Sequence, residues 1–479
     1  MNTMPPVASL STTGGDYLLS EPDFSSSVSI AKRDTSINVN LIEEYNSEFI
    51  TKNKGDSYER QYASIYFMRL ALLKPRVCQS AQDAWGDMIV AGQKVQYAPR
   101  ALDISPGKLC YIVGTIYLEI TSKPNILEEV TNEFWTDVPD THTKFTDRQH
   151  DEVVIEDESG RVTLTGPALS KYLDLLITGC VVGVLGSETA EGQFEAMQLV
   201  FPEMAEQKAI APNYVEKKYL ALLSGLDISG DEHEGIEINL LKEFLMGEMD
   251  SIDNTDGTNI VHAIFAGNTF AEVNASSLSG QEDPKRRFQT SEPSKPVEAV
   301  DKMLTQLALS MPIDIMSGPT DPTTITLPQQ PLHPAQFLRS RALIPSAIRP
   351  VTNPCWWDIG GVRILGVGGQ TIDDIYKYAA GTDRISMMEH TLRWQHIAPT
   401  APDTLWSFPF QDNDPFVIRE TPHVYFAGNQ PEFGTSLYSG ANGQLIRIIT
   451  VPKFSETGQI VLLDLSSLEC SVISFKAGV

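Results

Sequence analysis

The spacing of apolar and polar residues divides the chain into segments of different character. Residues 1–50 are rich in serine and threonine and show little periodicity, as expected of a segment too polar to build a core. We therefore predict a mobile N-terminal tail over residues 1–50, ending in a short helix or an extended arm.

The first regular pattern along the chain is helical. In residues 58–73, YERQYASIYFMRLALL, apolar side chains recur at intervals of three and four, as they do on one face of a helix. Proline lacks the N–H that a helix interior needs, so Pro75 is expected to end this helix. We assign residues 51–104 to an N-terminal helical segment whose aromatic stripe packs in a core.

Residues 108–201 change to short apolar runs that are typical of strands. The runs are KLCYIVGTIYLEI, DEVVIEDESGRVTLTG, CVVGVLGSE and QFEAMQLVF. The second run reads as a hairpin that turns at 158–160, and a loop-rich insert occupies 121–150. Four or five strands in about 100 residues favour a small closed barrel. We predict an OB-fold β-barrel over residues 105–205.

After a linker at 202–212, strands and helices alternate. Apolar runs predict strands at 219–224, 261–266, 313–316 and 362–366, and helical spacing appears at 236–246 and 297–311. Alternation of this kind indicates an α/β layer fold. The later runs HVYFAG, LIRIITVPKF, QIVLLDLSS and CSVISF predict that the sheet finishes in an antiparallel meander. We assign residues 215–475 to this domain and the chain to the α+β multidomain class.

Charge limits the partners that the chain can bind. The 479 residues include 62 acidic and 36 basic side chains, for a net charge of -26. Such a field repels a phosphate backbone, so we expect weak or no direct DNA binding. An OB-fold that binds single strands needs a basic, aromatic groove, whereas the predicted hairpin surrounds Arg161 with acidic residues at 151, 152, 156, 157 and 158. This favours a structural or protein-binding barrel over the alternative, a single-strand DNA-binding module.

The cysteines and the apolar runs indicate the compartment. Five cysteines are scattered without a CxxC pair, which argues for reduced thiols in a cytosolic or nuclear protein and against a disulfide framework or a zinc site. The N-terminus does not resemble a signal peptide. The longest apolar run, at 175–185, is too short to cross a bilayer, so no membrane association is expected.

Three further motifs give weak signals. LGVGGQT at 365–371 could place phosphate at a helix N-terminus, but it lacks the third glycine of a dinucleotide loop and the Gly-Lys of a P-loop. Residues 250–257 lack the first ligand of a calcium loop, because Ile252 occupies that position. The basic run DPKRRF at 283–288 is either a nuclear localisation or regulatory patch or, more simply, a solvated turn.

Several longer motifs carry a family resemblance. RQYASIY at 60–66, GPTDPT at 318–323, LPQQPLHP at 327–334, HIAPTAPDTL at 396–405 and HVYFAGN at 423–429 closely resemble the B-subunit family of replicative DNA polymerases, and LPQQPLHP favours its delta branch. The resemblance implies an OB-fold joined to a calcineurin-like metallophosphoesterase α/β sandwich that is inactivated in eukaryotic members.

The resemblance also implies where metal ligands once stood. Active relatives hold two cations with Asp-x-His, Gly-Asp, Gly-Asn-His-Asp and Gly-His-x-His motifs after successive strands. Here the corresponding positions, which we call the former ligand positions, are Ser224, Leu226, Asn268, Pro319, Thr320, Asp321, Asn429 and Pro431. Divalent metal sites need charged or imidazole donors, and only Asp321 is one. We therefore expect no metal, no cofactor and no catalytic residue, with Asp321 and His396 as remnants or ordinary structural residues.

For function, the resemblance implies a noncatalytic scaffold subunit in the nucleus. Its partners would be the cysteine-rich C-terminal module of the polymerase delta catalytic subunit, a third subunit and, through sharing, the polymerase zeta catalytic subunit. The partner-binding residues are unknown from the sequence. Two alternatives stay open, namely a B-subunit of polymerase alpha or epsilon and an active metal-dependent phosphoesterase or nuclease.

Overall fold

The computed structural model describes most of the chain. The described residues are 10–12, 15–17, 37–51, 62–90, 92–121, 123, 144–146, 151–210, 217–230, 235–249, 257–271 and 295–476. The predicted insert at 121–150 lies largely outside the described residues, and the basic run at 283–288 lies wholly outside them. No helix within the described residues is long and apolar enough to span a membrane.

The regular elements are numbered along the chain. The helices of the described residues are α1 (Glu43–Phe49), α2 (Ala63–Trp85), α3 (Ile236–Met246), α4 (Lys295–Ala308), α5 (Gln370–Tyr378), α6 (Arg384–Trp394) and α7 (Phe454–Thr457). The strands up to the barrel's end are β1 (Leu10–Thr12), β2 (Gly15–Tyr17), β3 (Val39–Leu41), β4 (Ile89–Val90), β5 (Gln93–Lys94), β6 (Gln96–Tyr97), β7 (Cys110–Glu119), β8 (Glu152–Glu156), β9 (Arg161–Thr165), β10 (Val181–Glu188) and β11 (Phe194–Val200). The later strands are β12 (Tyr219–Leu223), β13 (Ile260–Ala266), β14 (Ile313–Met316), β15 (Ile348–Val351), β16 (Cys355–Ile359), β17 (Val362–Val367), β18 (Val424–Gln430), β19 (Gly434–Ser439), β20 (Leu445–Pro452), β21 (Gln459–Asp464) and β22 (Cys470–Ser474).

Helix α2 corrects the prediction for Pro75. The helix does not end there but continues for ten more residues to Trp85. Pro75 lies on the exposed face of the helix, while Val77, Ala81 and Trp85 are buried. A proline inside a helix costs about 3 kcal/mol, and the burial of the apolar residues that follow it offsets this cost.

The barrel forms from the strands that the sequence predicts. Its order is β10-β11-β9-β8-β7-β6, and β10 also pairs with β7, which closes the sheet as an OB-fold requires. The β8–β9 hairpin turns at 157–160, where the carboxylate of Asp157 accepts hydrogen bonds from the N–H groups of Ser159 and Gly160. The predicted hairpin is therefore confirmed, and its turn is fixed by a side chain that mimics a backbone turn.

The second domain is a sandwich of two six-stranded sheets. Sheet I has the order β15-β14-β13-β12-β21-β22, and sheet II has the order β19-β20-β18-β17-β16-β3. In sheet I, β12 to β15 are parallel and β21 and β22 are antiparallel. The predicted α/β layers are confirmed. The predicted antiparallel meander is wrong, because β18 and β20 pair in parallel within sheet II, while β21 and β22 form an antiparallel pair in sheet I. Strands β3, β15, β16 and β19 and helix α6 were not predicted.

Three apolar clusters hold these layers together. One lies between the two sheets and contains Leu222, Ile264, Trp357 and Phe426. A second lies between sheet I and helices α3 and α4. The third joins helices α5 and α6 on the outer face of sheet II to the interior of the barrel. Because the third cluster is continuous, the barrel and the sandwich share one core.

The segment after the barrel is held against sheet II. The N–H of Thr421 donates to the carbonyl oxygen of Glu206 (2.9 Å), and its hydroxyl donates to that of Ala205 (2.7 Å). Gln207 donates to the carbonyl oxygen of Pro422 (2.9 Å). Within its described residues, the segment predicted as a linker is thus fastened along the sandwich.

The residues before α2 form an arm that crosses the sandwich. Strand β3 pairs with β16, and Asn46 of α1 bonds both the N–H and the carbonyl oxygen of Trp356. Glu48 makes a bidentate ion pair with Arg419. We expected either a short helix or an extended arm, and the structure has both, namely helix α1 and the extended strand β3.

A buried arginine joins α2 to the sandwich. Arg69 is fully buried and its Nε donates to Asp414 Oδ2 at 2.9 Å. Its Nη atoms donate to the carbonyl oxygens of Pro399 (2.6 Å), Ala401 (2.6 Å) and Gly179 (3.4 Å). Helix α2, a barrel turn and the long loop between α6 and β18 therefore meet at a single guanidinium group.

His396 completes this junction. Its Nδ1 accepts a hydrogen bond from the N–H of Ala398, so Nε2 carries the hydrogen that points at Asp414, 2.8 Å away. Burial and the charge of Arg69 lower the pKa of His396 to about 4. Burial alone would raise the pKa of Asp414, but His396 and Arg69 hold it below its ordinary value.

Replacing Arg69 with methionine should destabilise the protein strongly. The substitution leaves the Asp414 carboxylate buried without its cation, which costs about 3–5 kcal/mol. Urea denaturation should show a lower midpoint. Arg100→Met is the matched control, because Arg100 pairs with Asp103 on the surface and exposed pairs contribute little. Equal midpoints for the two variants would contradict the junction's role.

His396 should make the protein less stable in mild acid. Its pKa is lower in the folded chain than the ordinary value near 6.5, so the unfolded chain binds the proton first as the pH falls. Stability is then lost between about pH 6.5 and pH 4, by an amount of order 3 kcal/mol. We expect His396→Gln, which keeps an N–H for Asp414, to reduce this slope in denaturation curves across that range. His333→Gln, at an exposed histidine, is the control. An unchanged slope in His396→Gln would show that another group titrates.

Candidate functional site

Four of the predicted loops meet at the carboxyl ends of β12, β13, β14 and β18. The N–H of Gly225 donates to the carbonyl oxygen of Gly267 (3.0 Å), and the N–H of Asn429 donates to the hydroxyl of Ser224 (2.9 Å). Gly318 lies against Asn268, because a Cβ added to it would stand 2.4 Å from Asn268 Oδ1. The structure thus brings Ser224, Asn268 and Asn429 together where α/β folds commonly bind ligands.

Asn268 fastens the loop that follows β13 to the loop that follows β14. Its backbone is left-handed, with φ of 52°, a conformation that asparagine tolerates better than most residues. Its Oδ1 accepts a hydrogen bond from the N–H of Thr320 at 3.3 Å, while the Thr320 hydroxyl donates to the carbonyl oxygen of Phe270 at 2.8 Å. Both side chains are used to hold the two loops in contact.

Ser224 and Asn429 connect the two sheets. The hydroxyl of Ser224 lies within donating distance of the carbonyl oxygens of Val451 (3.1 Å) and Pro452 (3.0 Å). The side-chain nitrogen of Asn429 donates to the carbonyl oxygens of Gly368 (2.7 Å) and Ala266 (3.3 Å). The neutral side chains at these former ligand positions therefore bond to backbone on both sheets.

Asp321 is the single carboxylate among the former ligand positions. It is buried, and its two oxygens accept from the N–H groups of Phe270 (3.0 Å) and Gly318 (2.7 Å). Burial raises the pKa of Asp321 to about 7, although its backbone hydrogen bonds act in the opposite direction. Both oxygens are thus committed to the loop backbone, and neutral pH leaves a substantial fraction of the carboxyl protonated.

The remaining former ligand positions do not converge on the centre. Leu226 is buried in the apolar cluster on the helical side of sheet I. Pro319 and Pro431 are exposed. His396, considered as a remnant, belongs to the Arg69 junction.

Glycine allows the loops to pack backbone against backbone. A Cβ would stand 2.2 Å from the carbonyl oxygen of Ala266 if added to Gly428, and 2.2 Å from that of Gly428 if added to Gly369. Real side chains do not fit at such distances. Gly369 is also left-handed, with φ of 105°, so the space next to the former ligands is filled by main chain.

The glycine loop at 365–371 is also held by hydrogen bonds within the protein. The N–H of Gly368 donates to Asn353 Oδ1 at 2.9 Å, and the side chain of Gln370 bonds Gln329 and Asn353. The N–H of Gly368 and the side chain of Gln370 are thus engaged within the protein. Most of the candidate calcium loop at 250–257 lies outside the described residues.

Gln329 and Gln330 are the residues that the sequence did not single out. Gln329 donates to the carbonyl oxygens of Gly318 and Thr324 (both 3.0 Å) and accepts from the side chains of Asn353 and Gln370. Gln329 therefore joins the loop that follows β14 to Asn353 and Gln370. The signal in the sequence was an amide pair, QQ, inside a proline-rich stretch.

Gln330 points the other way, toward the N-terminal arm. Its side chain accepts from the N–H of Thr51 (3.1 Å) and donates to the carbonyl oxygen of Phe49 (3.0 Å). The arm and the loop after β14 are therefore connected through two consecutive glutamines.

The chemical capacity of the site follows from its donors. Amides, a hydroxyl and one carboxyl with raised pKa are poor substitutes for the charged and imidazole ligands of a binuclear centre. Within the described ranges, no group of three or more His, Cys, Asp or Glu side chains is placed to hold a metal ion.

Known proteins match this chain over most of its length. The family model for the DNA polymerase alpha/epsilon B-subunit matches residues 220–435, and that for the DNA polymerase delta subunit OB-fold domain matches residues 61–199. The DNA polymerase delta small subunit of Arabidopsis thaliana is 37% identical over 419 residues, covering 87% of this chain and 91% of that protein. The corresponding protein of Oryza sativa is 35% identical over 88% of this chain and 95% of its own length, and that of Saccharomyces cerevisiae is 34% identical over 88% and 90%. The chain therefore belongs to the family of DNA polymerase delta small subunits.

Proposed function

We propose that the chain is a noncatalytic scaffold subunit of a DNA polymerase delta complex. The observation that carries this proposal is the use of Ser224, Asn268 and Asn429 as structural hydrogen-bonding groups at the ends of an otherwise intact set of strands. A fold that keeps its layers while its ligand positions bond to backbone is suited to present surfaces to other subunits.

The proposal includes a fold type for the second domain. Two mixed sheets with helices on both outer faces, and loops converging at the strand ends, support a calcineurin-like phosphoesterase sandwich over residues 215–475. The barrel strands support an OB domain over 105–205, with α2 inside the helical segment at 51–104.

The proposed partners are other subunits rather than DNA. They are the cysteine-rich C-terminal module of the polymerase delta catalytic subunit, a third delta subunit and the polymerase zeta catalytic subunit, all in the nucleus. A groove of about 630 Å³ on the barrel supports this choice. Its lining includes three carboxylates, two cations and two tyrosines, namely Glu119, Glu152, Glu156, Lys123, Arg161, Tyr66 and Tyr117. Both cations are paired with carboxylates, Lys123 with Asp403 and Arg161 with Glu119, so the carboxylates are in excess. Carboxylates repel phosphates and suit a basic protein surface.

Introducing one metal-ligating side chain should not give the protein phosphodiesterase activity. In Asn268→Asp a carboxylate replaces the amide at one former ligand position, yet the other metal-binding donors are still missing, so no binuclear centre forms. We expect no manganese-dependent cleavage of a phosphodiester and no stoichiometric bound metal. We also expect a modest loss of stability, of order 1–2 kcal/mol, because a second carboxyl is placed near Asp321. Asn40→Asp, on β3 outside the site, is the control. Manganese-dependent turnover by Asn268→Asp would sink the scaffold proposal and favour the enzyme alternative.

Purification from nuclear extract tests the proposed assembly directly. The tagged chain should recover a delta-type catalytic subunit, identified by mass spectrometry, without stoichiometric metal on the chain itself. Arg69→Met should recover less, because the barrel and sandwich lose their junction. If the unaltered chain is recovered alone and carries two metal ions, the proposal is wrong.

A further inference from the structure

The two ends of the sandwich differ in how their sheet edges are protected. At one end, the three-residue strand β3 covers β16, and β15 contains Pro350, which has no N–H to offer. Arg349 of β15 donates to the carbonyl oxygen of Val39 in β3 (3.1 Å), so both edges lie at the same end. Short strands and proline are devices that keep an edge from pairing with another chain.

At the other end, both edge strands are open. Strand β19 is outermost in sheet II and β22 is outermost in sheet I. The hydroxyl of Thr435 in β19 lies 3.8 Å from Cys470 Sγ in β22, which places the two edges side by side. No strand of the described residues pairs with the outer side of either.

The hydrogen bonding of β19 shows which of its backbone groups are free. β19 is antiparallel to β20, and the N–H of Gly440 donates to the carbonyl oxygen of Gln444 (2.9 Å) just beyond their last pair. Bonded and non-bonded pairs alternate along an antiparallel ladder. Residues 434, 436 and 438 therefore bond β20, while Thr435, Leu437 and Ser439 direct their N–H and carbonyl groups outward.

The side chains of this edge offer no protection. The strand reads GTSLYS, without a charge or a proline, although edge strands usually carry one or the other. Leu437 is 48% exposed, and Leu445, its diagonal neighbour on β20, is 47% exposed. An unpaired edge and an apolar contact thus occur at the same place.

We propose that β19 accepts an extended segment of another subunit through strand addition. This inference rests on the proposed scaffold function and deepens it. The outward groups of Thr435, Leu437 and Ser439 supply the main-chain hydrogen bonds, and an apolar side chain of the incoming segment packs on Leu437.

The acidic charge of this chain limits which segments can pair with β19. A second copy of this chain is a poor occupant because each copy has a net charge of -26, and like charges repel. Glu432 and Glu469, both exposed, flank the edge, since they lie three residues before Thr435 and one before Cys470. Arg447, the direct partner of Leu437 on β20, is only partly exposed and donates to the carbonyl oxygen of Leu468 (2.6 Å). The segment therefore has an apolar residue opposite Leu437 and basic residues beside it.

Hydrogen exchange of single amides tests strand addition. The amides of Thr435, Leu437 and Ser439 should exchange rapidly in the isolated chain and at least on the order of tenfold more slowly in the purified polymerase assembly. The amides of Ser436 and Tyr438, already bonded to β20, serve as internal controls. Equal exchange of the outward amides in both samples would overturn the proposal. Protection that grows with the concentration of the isolated chain would also overturn it, because the occupant would then be a second copy.

A substitution tests the apolar contact. Leu437→Lys should weaken binding of the subunit that supplies the segment on the order of tenfold, measured as the dissociation constant by titrating the chain with each purified subunit of the assembly. Its thermal midpoint should stay close to that of the unaltered chain, because Leu437 is half exposed. Leu338→Lys, at a leucine that is 75% exposed elsewhere, should bind normally, and equal affinities for the two variants would contradict the proposed contact.

The two proposals fail in different ways. If the unaltered chain forms no assembly, the scaffold function and the strand addition are both wrong. If the assembly forms and the outward amides stay unprotected, strand addition alone is wrong.

Discussion

The structure depends on the ion pair between Arg69 and Asp414. Both side chains are fully buried, and they lie 345 residues apart in the sequence. A buried charge is tolerated only when its partner and its remaining hydrogen bonds are in place. Arg69 can therefore be buried only when α2, the turn at Gly179 and the loop at 396–414 have all assembled. This requirement fixes the barrel on the sandwich more specifically than apolar contact does, because apolar contact is not directional.

A second long-range connection starts at the loops that carry the former ligand positions. Gln329 bonds the loop that follows β14 and Gln330 bonds the arm, so the positions of the loop and of α1 depend on each other. The arm in turn covers β16 and pairs Glu48 with Arg419, only five residues from Asp414. The loop after β14 and the arm are thus joined by polar contacts, and the arm reaches Asn413, the residue before Asp414 of the Arg69 junction.

The sequence predicts elements whose signal is local. β7, β12 and β13 are continuous apolar runs, and α3 and α4 show helical spacing, so pattern alone identifies them. β15 and β16 were not predicted, because Ile348–Val351 contains a proline and β16 is defined by pairing with strands on either side. Pro75 was misread because the burial of Val77, Ala81 and Trp85 is invisible to local propensity. The former ligand positions followed from a resemblance, but the hydrogen-bond partners of Ser224, Gln329 and Arg69 are far away in the chain and follow only from the fold.

The neutral side chains at the proposed former ligand positions and the tight packing of the loops are physically linked. A binuclear centre places loops around two cations, and the cations offset the repulsion among their carboxylate ligands. Without cations, carboxylates at these positions would repel one another, whereas neutral groups can bond to backbone. Asn268, Asn429 and Ser224 do so, and the glycines beside them let the main chains approach until little space is left. Building a metal site here would therefore require both new charges and new space. A single substitution supplies only the first, which is why the arrangement is stable as a structural joint.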